Sequence, residues 1–299
     1  MNGDWATFDA SIGAGIDSYY EYMYKAAVLF SSNRYMEWFV KSQQAVKDHL
    51  IDQSRPSVHR AIHMSSGDQM GHWVESLAAF WPGMLASFGD VEGAKRHWYF
   101  WQVLSRRLGL LPDRFDLLSR TPVIAKHPLR PEHIESTYML YQVTKDHTFL
   151  NAAAVMLDTV DAKTATECAF APIQDVTTGG HDGRMESFWI AETLKYFYLI
   201  FDPGILLTFL HPPIMHSAGV DHPLHADGSN WVFTTEGHPL RVPYTPAAGL
   251  KRALQCPMVS AASPELLIPA SEQLAIEDML DHHLDTSIAW LAHHEVCSA

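Results

Sequence analysis

The feature that most constrains this chain is a three-and-four spacing of apolar residues that recurs in segment after segment, each broken by a long polar loop. Ser18 to Phe30 sets Tyr19, Tyr22, Met23, Ala26, Ala27 and Phe30 on one helical side. Arg34 to Ile51 does the same with Met36, Phe39, Val40 and Val46. The pattern predicts further helices over 72–88, 91–109, 132–144, 147–160 and 185–201, bounded by Trp81-Pro82-Gly83, Leu111-Pro112-Asp113 and Asp202-Pro203-Gly204. Val232-Phe233-Thr234-Thr235 is the best short strand. No βαβ rhythm and no glycine-rich phosphate loop appears. The chain reads as all-α, built of helix–loop–helix units that suit either an open solenoid or a closed α/α toroid.

The loops at 54–71, 112–130, 162–183 and 211–236 are long for a compact domain, and such loops usually carry function. Residues 243–299 read as a tail with one amphipathic helix, roughly Pro264 to Leu291. Its His282-His283 and His293-His294 pairs fit a solvated helix end better than a metal site.

Charge narrows the function classes. Lys and Arg number 21 against 34 Asp and Glu, a net charge of −13, and the densest basic spots are the pairs Arg106-Arg107 and Lys251-Arg252. Nucleic acid needs a basic patch, so it is not expected as a partner. Charged residues are only 18% of the chain, below the roughly 25% of ordinary soluble domains. Helix faces meant for burial account for that. Cys168, Cys256 and Cys297 are too widely spaced for a zinc ribbon or a redox pair, and one disulfide with a spare thiol is compatible with them. No membrane span is expected, because Glu192, Lys195, Asp202 and Pro203-Gly204 break the most apolar stretch. The first residues lack the pattern of a signal peptide.

Four segments place polar chemistry where a plain helix would not. Asp17 precedes Tyr19, Tyr20, Tyr22 and Tyr24: an N-cap, or a carboxylate offered to a neutral polar ligand among tyrosines. Arg130-Pro131-Glu132-His133-Ile134-Glu135 opens a helix, with Glu132 and Glu135 in its first turn beside Arg130. Phe188 and Glu192 fall on one helical face; a ring beside a carboxylate can hold a sugar, or can equally be a core Phe and a surface Glu192–Lys195 pair. Thr234-Thr235-Glu236 gathers oxygen donors of the kind hard cations take, and alone would be an ordinary turn.

Together, GAGIDSYYEYMYK, LRPEHIES, ESFWIAETLKY and FTTEGHPL resemble glycoside hydrolase family 47, the class I α-1,2-mannosidases, over about residues 10–242. WVESLAAFWPG and GAGIDSYYEY are most similar to its ER degradation-enhancing branch. The resemblance implies an (α/α)7 barrel (toroid) with a few short β-hairpins in its loops, residues 1–242 being the C-terminal part of the catalytic domain. It implies Ca²⁺ and hydrolysis that inverts the anomeric centre. Glu132 is then the general base, Asp17 a second essential carboxylate acting through water, and Thr235 the Ca²⁺ ligand. Arg130, Glu135, Phe188, Glu192 and Glu236 line the mannose subsite. Asp113, in GLLPDRF, replaces a family Glu among the catalytic carboxylates and is expected to fall short of its place. Ser76 stands where the processing members have His. The family's other catalytic acid sits in an FExxIR-type block upstream of DSYYEY. Residues 1–16 contain none, so the barrel is expected to be partial, either a fragment or a protein that has lost the acid.

The expected function is Ca²⁺-dependent trimming of high-mannose N-glycans on misfolded glycoproteins in the endoplasmic reticulum, with an ER oxidoreductase as a candidate partner. The alternative is a catalytically inactive, lectin-like mannose-glycan receptor in the same pathway. A third reading, a helical scaffold without sugar chemistry, predicts Asp17, Glu132 and Glu236 far apart.

Overall fold

In the computed structural model, residues 5, 7–52, 55–201, 230–242 and 270–280 are described. The helices come as consecutive antiparallel-type pairs: α1 (Asp17–Leu29) with α2 (Asn33–Ala45), α3 (Trp81–Phe88) with α4 (Val91–Leu108), and α5 (Glu132–Thr144) with α6 (His147–Thr164). A helical stretch from 187 leads into α7 (Lys195–Phe201), and α8 (Ala270–Leu280) follows later. The odd-numbered helices form an inner row. The 3₁₀ turn Ser76–Phe80 that leads into α3 touches α1 and α5, α3 packs on α5, and α5 packs on α7. The even-numbered α2, α4 and α6 cover that row from outside. This is the layered arrangement of an α/α barrel.

Burial explains the order. α3 buries Trp81, Pro82, Gly83, Met84, Leu85 and Ala86 in succession, so it is apolar all round and belongs in the middle. The outer α4 is two-faced, starts on Asp90 accepting from the Gly93 N–H at 3.0 Å, and ends with Arg106 and Arg107 against the negative helix end. Where α3 meets α5 the backbones touch: the Ser136 hydroxyl accepts the Gly83 N–H at 2.8 Å and donates to the Ala79 carbonyl. A Cβ on Gly83 would lie 2.9 Å from Ser136 Cα. Gly83→Ala is therefore expected to lower stability by about 1–3 kcal/mol in urea unfolding, with the midpoint falling at unchanged slope.

Short antiparallel hairpins fill the inter-helix loops. β1 (Asp9–Ala10) pairs with β4 (Ile62–His63), and β2 (Ile51–Asp52) with β3 (Arg55–His59). β5 (Trp73–Glu75), β6 (Arg114–Asp116) and β7 (Thr121–Ile124) form a three-stranded sheet. β8 (Ile173–Asp175) pairs with β9 (Gly179–His181), and β10 (Asn230–Phe233) with β11 (Pro239–Val242).

Several expected boundaries move. The segment expected as one helix over 72–88 is a strand, a 3₁₀ turn and then α3, because Trp73, Val74 and Glu75 pair with Asp116, Phe115 and Arg114. α2 gives way to a π-helical turn, Val46–Leu50, so Ile51 is already strand. α6 runs on to Thr164 rather than 160. The stretch expected over 185–201 starts at 187 and is π-helical through Trp189–Leu194. The late strand is Asn230–Phe233, which leaves Thr234 and Thr235 in the turn. Of the expected Pro264–Leu291 helix, 270–280 is helical and docks on α4: Arg107 donates to the Glu277 carbonyl at 3.1 Å and Tyr99 to its carboxylate at 3.2 Å. The rest of that segment, both His pairs, Cys256 and Cys297 lie outside the described residues. Cys168 is exposed and free.

Candidate active site

Every predicted site residue from Asp17 to Glu192 except Asp113 comes from the opening of an inner-row helix, and Asp113 leads directly into β6. The positive ends of those helices thus gather where the acidic side chains do. Asp17 is not an N-cap. It is the first residue of α1, Ile16 holds the cap position, and the Asp17 carboxylate takes only the neighbouring Ser18 N–H, at 2.9 Å. Freed from capping, it lies half-buried and is held above its ordinary range by burial and by Glu21 and Glu75, while Ser18 and Arg130 oppose.

Arg130 is the central cation. Its Nε–H donates to Asp113 Oδ1 at 2.6 Å, and its guanidinium stands 5.9 Å from the Phe188 ring centre. Asp113 therefore reaches Arg130, even though it is the shorter acid. Leu129, just before, adopts φ 66, a left-handed conformation costly for a branched residue, on the order of 1–3 kcal/mol. Its carbonyl accepts the Thr193 hydroxyl at 2.7 Å, which fixes that turn against the helix opening at 187.

Glu132 borders a small, partly open cleft that is also lined by Ser76, Arg130, His133, Trp189 and Thr193. Its Oε2 is buried without a hydrogen-bond partner, as are Ser76 Oγ and His133 Nδ1. Burial pushes Glu132 well above the usual carboxylate range. Arg130 pulls it back, and Glu135 and Glu192 push it further.

One helical turn on, Glu135 (7% exposed) accepts the Tyr196 O–H at 2.8 Å, and burial with Glu21 nearby lifts it to about 7. Glu192 (8% exposed) is lifted to about 8 by burial and by Glu135, so it is no surface partner of Lys195. Lys195 donates instead to the Glu236 carbonyl at 2.8 Å and lies 4.9 Å from the Phe233 ring centre. At the turn after β10, Tyr22 meets Thr235: its hydroxyl accepts the Thr235 N–H at 2.9 Å and lies 3.1 Å from Thr235 Oγ1.

One chain of electrostatic neighbours thus links Asp17 through Arg130 to Glu132, and Glu132 through Glu192 to Glu236. The scaffold reading expected these groups far apart, whereas Asp17 and Glu132 both act on the one Arg130. Sequence reasoning did not single out Glu21, Lys25, Glu75 or Tyr196. Glu21 is buried and ion-paired with Lys25; Glu75 holds Arg114. Their signal lay inside the DSYYEYMYK, WVESLAAFWPG and AETLKY strings.

The raised carboxyls have a stability consequence. Protonated in the fold but ionised from about 4.5 when unfolded, Glu192 contributes stability below that pH and loses it as pH rises through about 8. Glu192→Gln is therefore expected to melt higher than the parent chain in metal-free buffer. The gap should be near zero at pH 4.5 and grow toward pH 8; a pH-independent gap contradicts the burial account.

An inner row of helix openings that brings carboxylates, a guanidinium and an aromatic ring into one electrostatic neighbourhood defines an α/α barrel with a candidate polar-ligand site. The chain belongs to glycosyl hydrolase family 47, whose model matches residues 1–242, and within it to the ER degradation-enhancing branch. It is 34% identical over 239 residues to ER degradation-enhancing alpha-mannosidase-like protein 1 of Schizosaccharomyces pombe, covering 80% of this chain and 28% of that one. It is 36% identical over 245 residues to Alpha-mannosidase I MNS5 of Arabidopsis thaliana (81% and 38%) and 34% identical over 247 residues to human ER degradation-enhancing alpha-mannosidase-like protein 2 (80% and 41%). The chain thus spans well under half the length of these relatives. An alpha-1,2-mannosidase from Trichoderma reesei superposes with a TM-score of 0.66 at 23% identity, over 81% of this chain and 54% of that one, a likeness of fold. Among the described residues no helix is long and apolar enough to cross a membrane.

Proposed function

We propose that the chain carries the sugar subsite of an α-1,2-mannosidase that trims high-mannose N-glycans on misfolded glycoproteins in the endoplasmic reticulum. The observation that carries the proposal is the Arg130–Asp113 clamp beside Phe188, bordered by Glu132 and Glu192. Phe188 offers a ring to the C–H face of a mannose. Arg130, held by Asp113, points fixed donors at its hydroxyls, while Glu135 and Glu192 take hydroxyl protons. Glu132 is the general base of an inverting hydrolysis, and Asp17 is a second essential carboxylate that does acid/base work through water. Such a pair works only if the two members hold their protons differently. Burial raises both carboxyls, Glu132 with its Oε2 sealed and Asp17 half-buried.

Ca²⁺ fits the same reading. Among the described residues no three His, Cys, Asp or Glu side chains form a ready cage. The Thr235 hydroxyl and carbonyl beside Glu236 are an all-oxygen set that a hydrated hard cation accepts. Bound there, Ca²⁺ would add to the positive charge that Lys195 and Lys25 bring to Glu135 and Glu192. An ER oxidoreductase remains the candidate protein partner, on the family resemblance alone.

The test is mannose release from a high-mannose glycan by the full chain, with and without chelator. Release that chelation abolishes and Ca²⁺ restores is the expected result; release untouched by chelation removes Ca²⁺ from the proposal. A second reading, binding without turnover, is favoured by the burial of Glu132, since a carboxyl that keeps its proton donates to a sugar hydroxyl instead of activating water. Calorimetric glycan binding with no mannose released selects it.

A further inference from the structure

We infer that Glu75 is a positioning residue of the candidate site, a two-sided clamp that holds the loop launching Asp17 against the strand that follows Asp113. The inference rests on the proposed function for the meaning of those two carboxylates, though not for the clamp itself.

Glu75 ends β5, directly opposite Arg114 of β6. Its two carboxylate oxygens divide the work. Oε1 accepts the Arg114 Nε–H at 3.1 Å and a second, shorter bond from Nη2 of the same guanidinium. Oε2 accepts the Ala14 N–H at 3.0 Å. Glycine at residue 13 leaves room for that carboxylate: a Cβ there would sit 2.5 Å from Glu75 Oε2 and push it aside.

What hangs from each side matters. The Gly13 carbonyl accepts the N–H groups of Ile16 and Asp17, at 3.2 and 3.1 Å. The start of α1, and with it the Asp17 side chain, is therefore suspended from the residue that touches Glu75. On the other side, Arg114 follows Asp113, the clamp on Arg130. The Asp113 carbonyl also accepts the Ser76 N–H at 3.1 Å, and Arg114 packs 5.2 Å from the Trp73 ring centre. Glu75 thus joins two segments that the chain itself separates by α1 through α4.

Its charge acts as well as its shape. Among the described residues, the charged groups that bear most on Asp17 are Glu21 from α1, Arg130 ahead of α5 and Glu75 from β5. Glu21 and Glu75 favour the protonated acid, and Arg130 the ionised one. Replacing Glu75 by Gln keeps an acceptor for Ala14 and removes one repulsion. Replacing it by Ala removes both.

The experiment uses the full chain as parent, Glu75→Gln and Glu75→Ala. The Asp17 carboxyl is followed by carbon-13 NMR titration, with Asp17→Asn identifying the signal, beside the pH dependence of mannose release. In Glu75→Gln the Asp17 midpoint is expected to move to lower pH, the acidic limb of kcat/KM to move with it, and kcat on the plateau to stay near parent. In Glu75→Ala, kcat is expected to fall about ten- to a hundredfold with KM little changed, the signature of a misplaced group rather than lost binding. Gln rescuing what Ala loses separates positioning from general destabilisation, since a merely structural role leaves the Asp17 titration where it was. An Asp17 midpoint unmoved in Glu75→Gln overturns the inference, even if Glu75→Ala fails to fold. A parent chain that releases no mannose defeats the functional reading alone, because the titration still decides the clamp.

Discussion

Glu132→Gln is expected to cut mannose release by about 10²–10⁴-fold, the usual worth of a general acid or base, while the protein melts no lower than the parent at neutral pH. Both halves follow from one fact: the outer oxygen of Glu132 is buried without a partner. A carboxyl so placed is displaced upward by burial. Its protonated state contributes stability below the ordinary value near 4.5, and that contribution is lost as pH rises toward the displaced value. Gln fills the same volume and cannot ionise, so it loses nothing as pH rises. Loss of activity with an unchanged or raised melting temperature identifies a group kept for chemistry against stability. Loss of activity together with collapse of the fold would assign Glu132 to architecture instead.

Arg130→Met carries the second large effect, and it falls on binding and stability together. The change removes the 2.6 Å hydrogen bond to Asp113, the cation beside Phe188, and the positive charge that offsets Glu132 and Asp17. Leaving Asp113 partly buried without its donor costs about 1–3 kcal/mol, readable as a lower urea midpoint. Glycan affinity, measured by calorimetry, should fall at least about tenfold, equivalent to 1.4 kcal/mol. Lys at this position should rescue little, because a point charge cannot reproduce a planar guanidinium held edge-on by Asp113 and face-on by Phe188. Affinity equal to the parent's would remove Arg130 from the subsite.

The long helices were legible from apolar spacing because each buries an apolar face, whereas the near-complete burial of α3 and α5 came only with the structure. Of the loop strands, only the late one around Val232 and Phe233 was legible. Trp73-Val74-Glu75 has only three residues, and it is a strand because Arg114–Asp116 lies alongside, a partner beyond α4 that local pattern does not reveal. The same blindness hid Glu75, whose role is set by residues far away in the chain. Asp17 was ambiguous for a different reason: a cap and a presented carboxylate look alike in sequence, and only the backbone at Ile16 separates them. The Phe188–Glu192 spacing was read as α-helical, and the intervening turn is instead the wider π-helical one.

That wider turn makes register at this wall fragile. A π-helical stretch is an α-helix that has taken in an extra residue. Phe188 precedes it, Glu192 lies within it, and Tyr196, which holds Glu135, follows it. Because the bulge takes up the extra residue's rotation, Tyr196 beyond it still reaches Glu135 and Lys195 still reaches the Glu236 turn. Deleting a single residue between Trp189 and Leu194 would restore regular winding and leave those downstream contacts in place, while residues inside the bulge, Glu192 among them, would turn by up to about 100° relative to Phe188. The direction in which Glu192 faces the candidate site is therefore set by counting as much as by chemistry.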